Sequence, residues 1–161
     1  MAERGHRIYS TQTLRLSRVI EAPPRYVYDW CTDYRSDDWR LSRRRPHPSF
    51  RALRISPHRV LRIRVTPTGR PDPDIAVDVI RLSPPNRWHT DQIDEEDRET
   101  VDYRVTPLGK HRTRLTLLIT ERWLTPNHLS RAETLRRLHG AWGRYVPQIE
   151  ARYRSGRPAT G

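Results

Sequence analysis

The sequence predicts an α+β protein: a curved, seven-stranded antiparallel sheet wrapped around one long C-terminal helix, with two short helices after the first strand. Three observations predict it. Short runs of alternating apolar residues follow one another with turn-length gaps. The chain's 14 prolines sit between those runs and interrupt almost none of them. From about residue 129 the apolar spacing changes from two to three or four, the period of a helix. At 161 residues the chain is long enough for one domain with a substantial core.

The first strand reads over residues 13–20, "TLRLSRVI", with Leu14, Leu16, Arg18 and Ile20 on one side. "EAPPRYVYDWCTDY" then turns the chain into a helix, because Pro24 suits a first turn where its missing N–H has no partner to lose. Val27, Trp30 and Cys31 fall on one face of it. Ser36 is placed to cap a second short helix, "SDDWRLS", with Asp37 and Asp38 in the first turn. The basic link "RRRPHPS" follows.

Prolines then mark the joints. "FRALRIS" stops at Pro57, "RVLRIRV" runs to Pro67, and "IAVDVIRLS" ends at Pro84-Pro85. "NRWHTDQIDE" and "RETVDYRV" are joined by an acidic turn at Glu96-Asp97, and Pro107 is expected to end the latter. "LGKH" leads into "RTRLTLLITERWL". In the last segment Leu135, Leu138, Trp142, Tyr145, Ile149 and Tyr153 share a helical face. Ser130 and Glu133 have capping-box spacing, and Pro147 predicts a kink. The end, "SGRPATG", is expected to be loose. The division is an N-terminal segment 1–12, one domain over 13–154 and a flexible tail 155–161. A sheet of this kind curls, the long helix fills its concave side, and an apolar cavity is expected where the helix leaves it open.

Composition narrows the classes. Charged residues make up 31%, hydrophobic ones 34%, and mean hydropathy is -0.92, yet five Trp and seven Tyr argue for a folded body. No apolar run approaches a membrane span, and the first residues have no signal-peptide core, so a soluble cytoplasmic protein is expected. Cys31 is alone, which excludes an internal disulfide. The net charge of +12 invites nucleic acid or an acidic partner. However, every basic residue but Lys110 is Arg, a bias that genome composition also produces. The arginines are dispersed, with one dense cluster at Arg43, Arg44 and Arg45.

The order of elements and the pieces "VIEAPPRYVYDWCTD", "VIRLSPPNRW", "YRVTPLGKHRTRLTLLI" and "RLHGAWGRYVPQIEARY" resemble the START-like, or Bet v 1-like, superfamily, including its polyketide cyclase/dehydrase and lipid-transport families. The resemblance spans roughly residues 13–154. It implies the helix-grip fold, with the Ala-Pro junction leading into helices that plug one end of the sheet. It also implies an internal site for a lipid-, acyl- or polyketide-like molecule.

Strand parity proposes which residues line that site. Leu115, Leu117, Ile119, Glu121 and Trp123 share a face, as do Val101, Tyr103 and Val105. Since the resemblance makes the first and last strands neighbours, Arg18 and Glu121 are expected to meet, as a structural ion pair or as an anchor for a ligand head group. Trp88 is assigned to the interior, Trp30 and Trp39 to the helix plug, and Trp142 and Tyr145 to the long helix. Tyr103 is a phenol that would seek a hydrogen-bond partner. No phosphate loop, zinc-protease motif or nucleophile elbow is present, and the seven histidines show no metal-ligand spacing, so no cofactor and no metal are assigned. "EEDRE" reads as a solvated turn. Glu121, Asp102 and His89 are the interior proton-transfer candidates, with parity placing Asp102 outside.

Three readings follow. The first is a binding protein for an apolar small molecule. The second is an aromatase/cyclase acting on a chain carried by an acidic acyl carrier protein, docked near Arg43–Arg45. The third, nucleic-acid binding through the basic surface, has no recognisable motif behind it.

Overall fold

The computed structural model describes residues 8–35, 47–69, 71–94, 97–125 and 129–161. Its elements run β1 (Tyr9–Ile20), α1 (Pro24–Thr32), β2 (Ser49–Ser56), β3 (Arg59–Thr66), β4 (Asp74–Ser83), β5 (Arg87–Ile93), β6 (Arg98–Gly109), β7 (Arg112–Leu124) and α2 (Arg131–Arg154). The seven strands form one sheet in the order β1-β7-β6-β5-β4-β3-β2, and every pairing is antiparallel. Consecutive strands are hairpin neighbours from β2 to β7, and β1 closes the far side against β7. One short helix after β1 is present as expected. The segment expected to form the second, 36–42, lies outside the described residues, as do Trp39 and Arg43–Arg45.

Alternation places the core. Leu14, Leu16 and Ile20 of β1 face the same side as Leu115, Leu117 and Ile119 of β7 and Val101 and Val105 of β6, and all are buried. α2 covers that side with Trp142 and Ile149. α1 closes one end with Val27 and Tyr28, and Thr113 Oγ1 on β7 donates to Ala22 O at 2.7 Å, tying the β1–α1 junction to the sheet. The capping box at the start of α2 is formed: the Ser130 hydroxyl accepts from Glu133 N and Glu133 Oε2 accepts from Ser130 N at 2.9 Å. Pro147 lies inside α2 without ending it. No helix of the described residues is long and apolar enough to cross a membrane.

Three boundaries differ from the sequence expectation. β1 begins at Tyr9, because residues 9–12 pair with the end of β7 up to Leu124. Their polar composition hides a strand whose partner lies more than a hundred residues away. β6 runs past Pro107 to Gly109. Val105 N still reaches Asn86 O at 2.8 Å, but beyond it no β5 residue faces the strand, so the N–H that Pro107 lacks has no ladder bond to lose. The tail, expected to be loose, folds back on both helices: Tyr26 Oη donates to Arg157 O at 2.9 Å, Arg152 Nε donates to Pro158 O at 2.6 Å, and Ala159 is buried.

Candidate functional site

Between the concave face, α1 and α2 lies a cavity of about 1330 Å³. Five residues singled out from the sequence line it: Trp30, Trp88, Tyr103, Trp142 and Tyr145. They form a connected wall. The rings of Trp88 and Tyr103 stack at 4.5 Å, Tyr28 meets Trp88 edge-on at 5.7 Å, and Trp142 stands 6.5 Å from Tyr103. Tyr145 then joins Trp142 at 5.4 Å to Trp30 at 6.4 Å. Each such pair contributes about 0.5–1.5 kcal/mol beyond its area burial, which holds the wall in shape without a ligand. Burial in this wall pushes the Tyr103 hydroxyl well above the usual phenol range, so it is a neutral donor at any physiological pH. Cys31 also borders the cavity, and burial pushes its thiol up, away from the reactive thiolate.

The cavity is not apolar throughout, and this corrects the sequence expectation. Strand register aligns Gln12, Glu121, Glu99, Gln92, Asp78 and Arg62 in one row across β1, β7, β6, β5, β4 and β3. All six lie on the inner-face parity; Arg62, Asp78, Gln92 and Glu99 line the cavity, Gln12 and Glu121 do not, and hydrogen bonds join the two ends of the row separately. Arg62 Nε donates to Asp78 Oδ2 at 2.6 Å. With the Gln92 amide turned as its neighbours require, its nitrogen donates to Asp78 Oδ1 at 3.2 Å and its oxygen accepts from Arg64 Nη2 at 3.3 Å. The Arg62 guanidinium also lies 5.1 Å from the Tyr34 ring centre and 5.2 Å from that of Phe50.

Glu121 is the best-satisfied member of the row. Only 1% of its surface is exposed, yet Oε1 accepts from Arg137 Nη2 at 3.0 Å, and Oε2 accepts from Gln12 Nε2 at 2.9 Å and Trp123 Nε1 at 3.2 Å. Gln12 Nε2 in turn reaches Thr134 Oγ1 on α2 at 2.9 Å. Glu121 therefore ties β1, β7 and α2 together. It does not meet Arg18. Register sets Gln12 opposite Glu121 and Arg18 opposite Leu115, six residues along the strand. That is about 20 Å of strand, so the expected pair cannot form. Arg18 instead reaches His139 on α2, with Nη2 at 2.6 Å from Nδ1 and 3.2 Å from the carbonyl oxygen. Leu117 sits in the core beneath the cavity, 1% exposed. His89 is paired with Asp102 at 2.8 Å on the opposite face of the sheet, where parity had placed Asp102, and neither borders the cavity.

The residue missed from the sequence is Glu99. It faces Glu121 directly across β6–β7, lines the cavity, and stands 4.0 Å from Arg137. Burial, the negative charge of Glu121 and a hydrogen bond with that carboxyl push Glu99 up to about 7, while Arg137 pulls the other way. The arginine sits 1.0 Å nearer Glu121 than Glu99 and is engaged there. The signal was available: Glu99 continues the Val101–Tyr103–Val105 face by one step, but "EEDRE" read as a solvated turn. Among the described residues no cluster of His, Cys, Asp and Glu has metal-binding geometry.

Neither a family model nor a curated protein sequence matches this chain. Solved structures do share its architecture. The Zhui aromatase/cyclase from Streptomyces sp. R1128 superposes with a TM-score of 0.63 at 14% identity, over 91% of this chain and 98% of its own. A START superfamily protein from Mycobacterium smegmatis gives 0.59 at 12% identity, over 85% and 98%. Ara h 8.0201 gives 0.64 at 10% identity, over 91% and 99%. The chain thus has the START-like, Bet v 1-like helix-grip fold that the sequence resembles. At these identities the likeness speaks for the fold, and function has to be argued from the site.

Proposed function

We propose that this is a cytoplasmic binding protein whose cavity takes a small molecule of fused or linked rings, largely apolar but bearing oxygen substituents. One observation carries the reading: an aromatic wall and four members of the polar row, Glu99, Gln92, Asp78 and Arg62, share one cavity. A fatty acyl chain would leave the row facing methylenes, whereas rings stack on Trp88, Tyr103 and Trp142 and their oxygens meet Glu99 and Arg62. The volume exceeds the roughly 300–1,000 Å³ of ordinary small-molecule pockets, which suits several rings.

A second reading is favoured by Glu99 and by the likeness to an aromatase/cyclase. Here the cavity would fold a polyketide-like chain and bring its reacting carbons together, so that its shape supplies much of the catalysis. An acidic acyl carrier protein delivering that chain would dock on Arg43, Arg44 and Arg45. Charge reversal of these three that leaves carrier binding intact removes the docking part of this reading.

Native mass spectrometry of the purified protein, followed by denaturing extraction, tests the first reading. A defined added mass released as an aromatic, oxygenated compound supports it. Release of a saturated lipid instead overturns it.

A further inference from the structure

The polar row contains three carboxyl groups, and they are not equivalent. Glu121 accepts from Arg137, Gln12 and Trp123, and Asp78 accepts from Arg62 and Gln92. Glu99 faces Glu121 across the β6–β7 pair, has Arg137 only at 4.0 Å, and lines the cavity with 28% of its side chain exposed. Two carboxyls set opposite one another with one arginine between them carry an excess negative charge in a desolvated place. The arrangement is relieved when the pair holds one proton. A carboxyl that exchanges a proton beside a ring-binding wall is suited to proton transfer.

We propose that Glu99 is a proton-transfer residue of the cavity, acting as general base and then general acid at the carbon next to the carbonyl of a bound ring ketone, with Glu121 and Arg137 as positioning residues. This rests on the ring-binding reading above and names a reaction class for it. In the forward step a Glu99 carboxylate oxygen takes the α-proton. The C–H electron pair becomes the carbon–carbon double bond of the enolate, and the carbonyl π pair moves onto oxygen. The neutral Tyr103 hydroxyl, which faces the same space, donates a hydrogen bond to that oxygen. Return of the proton from Glu99 to carbon restores the ketone, and nothing is oxidised or reduced. The charged and titratable groups around Glu99 are Glu121 from β7, Arg137 from α2, Asp78 from β4 and Tyr103 from β6 itself. Their balance leaves Glu99 near 7, which is where a group that must both take and give a proton works best.

The test uses 2-tetralone in D₂O, with binding followed by tryptophan fluorescence and loss of α-protons by proton NMR. Wild-type protein is expected to bind the ketone and to exchange its α-protons faster than buffer, with a rate that climbs with pH and levels off above about 7. Glu99→Gln is expected to lose about 100-fold or more of the exchange rate when each protein is compared at ketone concentrations that saturate its own fluorescence change. Glu99→Asp, which keeps a carboxyl, should retain part of it, and reports on the proposal if the Gln variant folds poorly. Wild-type exchange in Glu99→Gln overturns the proposal. So does binding by the wild type with no exchange above buffer, and that result leaves the binding reading standing. Failure of the wild type to bind 2-tetralone counts against the binding reading itself, and the assignment of Glu99 falls with it.

Discussion

Trp88 on β5 and Tyr103 on β6 are register partners, and their rings stack at 4.5 Å with planes 6° apart. This pair is the floor of the cavity and part of the core at once. Trp88→Ala should cost about 3–5 kcal/mol of stability, the usual loss for deleting a buried aromatic ring. Tyr103→Phe keeps the stack and removes the hydroxyl, so it should change stability by no more than about 1 kcal/mol. If the cavity takes oxygenated rings, Tyr103→Phe should also retain less of the co-purifying compound. Urea denaturation and the mass of extracted ligand check the two halves separately.

Arg137 should matter more for stability than its half-exposed position suggests. Its partner Glu121 is buried and cannot turn to water when the arginine is removed. Arg137→Met should destabilise by about 2 kcal/mol, less than the about 3–5 for a wholly buried pair because the guanidinium side is wet. Pairing it with Glu121→Gln should recover much of that loss, since the double variant removes the fully buried charge that Arg137 neutralises. A double-mutant cycle by chemical denaturation measures both.

Glu99 makes a signed prediction about pH. Its folded value of about 7 lies above the ordinary 4.5, so between those values the folded protein holds a proton that the unfolded chain has released. The group's contribution is therefore fully favourable below about 4.5 and is lost as pH rises through 7. The loss is on the order of 3 kcal/mol. Glu99→Gln should flatten this part of the curve and be more stable than wild type at pH 8, relative to pH 5. A wild-type curve that rises between pH 5 and 8 with no difference in the variant would contradict the assignment.

Arg18→Met should be nearly silent. Arg18 touches His139 at the exposed edge of α2 and does not line the cavity. A stability change within about 1 kcal/mol and unchanged ligand retention are expected. A large fall in retained ligand would restore a direct role for Arg18.

Much of the architecture is legible along the chain because its causes are local. Alternation in "TLRLSRV" and "RLTLLIT" assigns each side chain to a face, prolines follow directly on the ends of β2, β3 and β4, and the change of period after residue 129 announces α2. Ser130 and Glu133 show the helix start because both halves of a capping box lie within four residues. Part of the aromatic wall was also within reach, since parity on an apolar face turns Tyr103 inward, whereas alternation in "RWHTDQI" leaves the inner face of β5 open and only the pairing with β6 settles that Trp88 stacks on Tyr103.

Position along a strand is a different matter. Parity says which face a residue takes and nothing about which residue lies opposite it. Arg18 and Glu121 were rightly given one face and wrongly made neighbours, because only the β1–β7 pairing, closed across a hundred residues, sets Gln12 against Glu121. The same non-local registers bring Glu99 beside Glu121 and line six residues from six strands into one polar row. The proton affinity of Glu99 exists only there. It comes from burial by distant segments and from a charge that the chain places twenty-two residues further on, and neither acts until the sheet and α2 have closed around it.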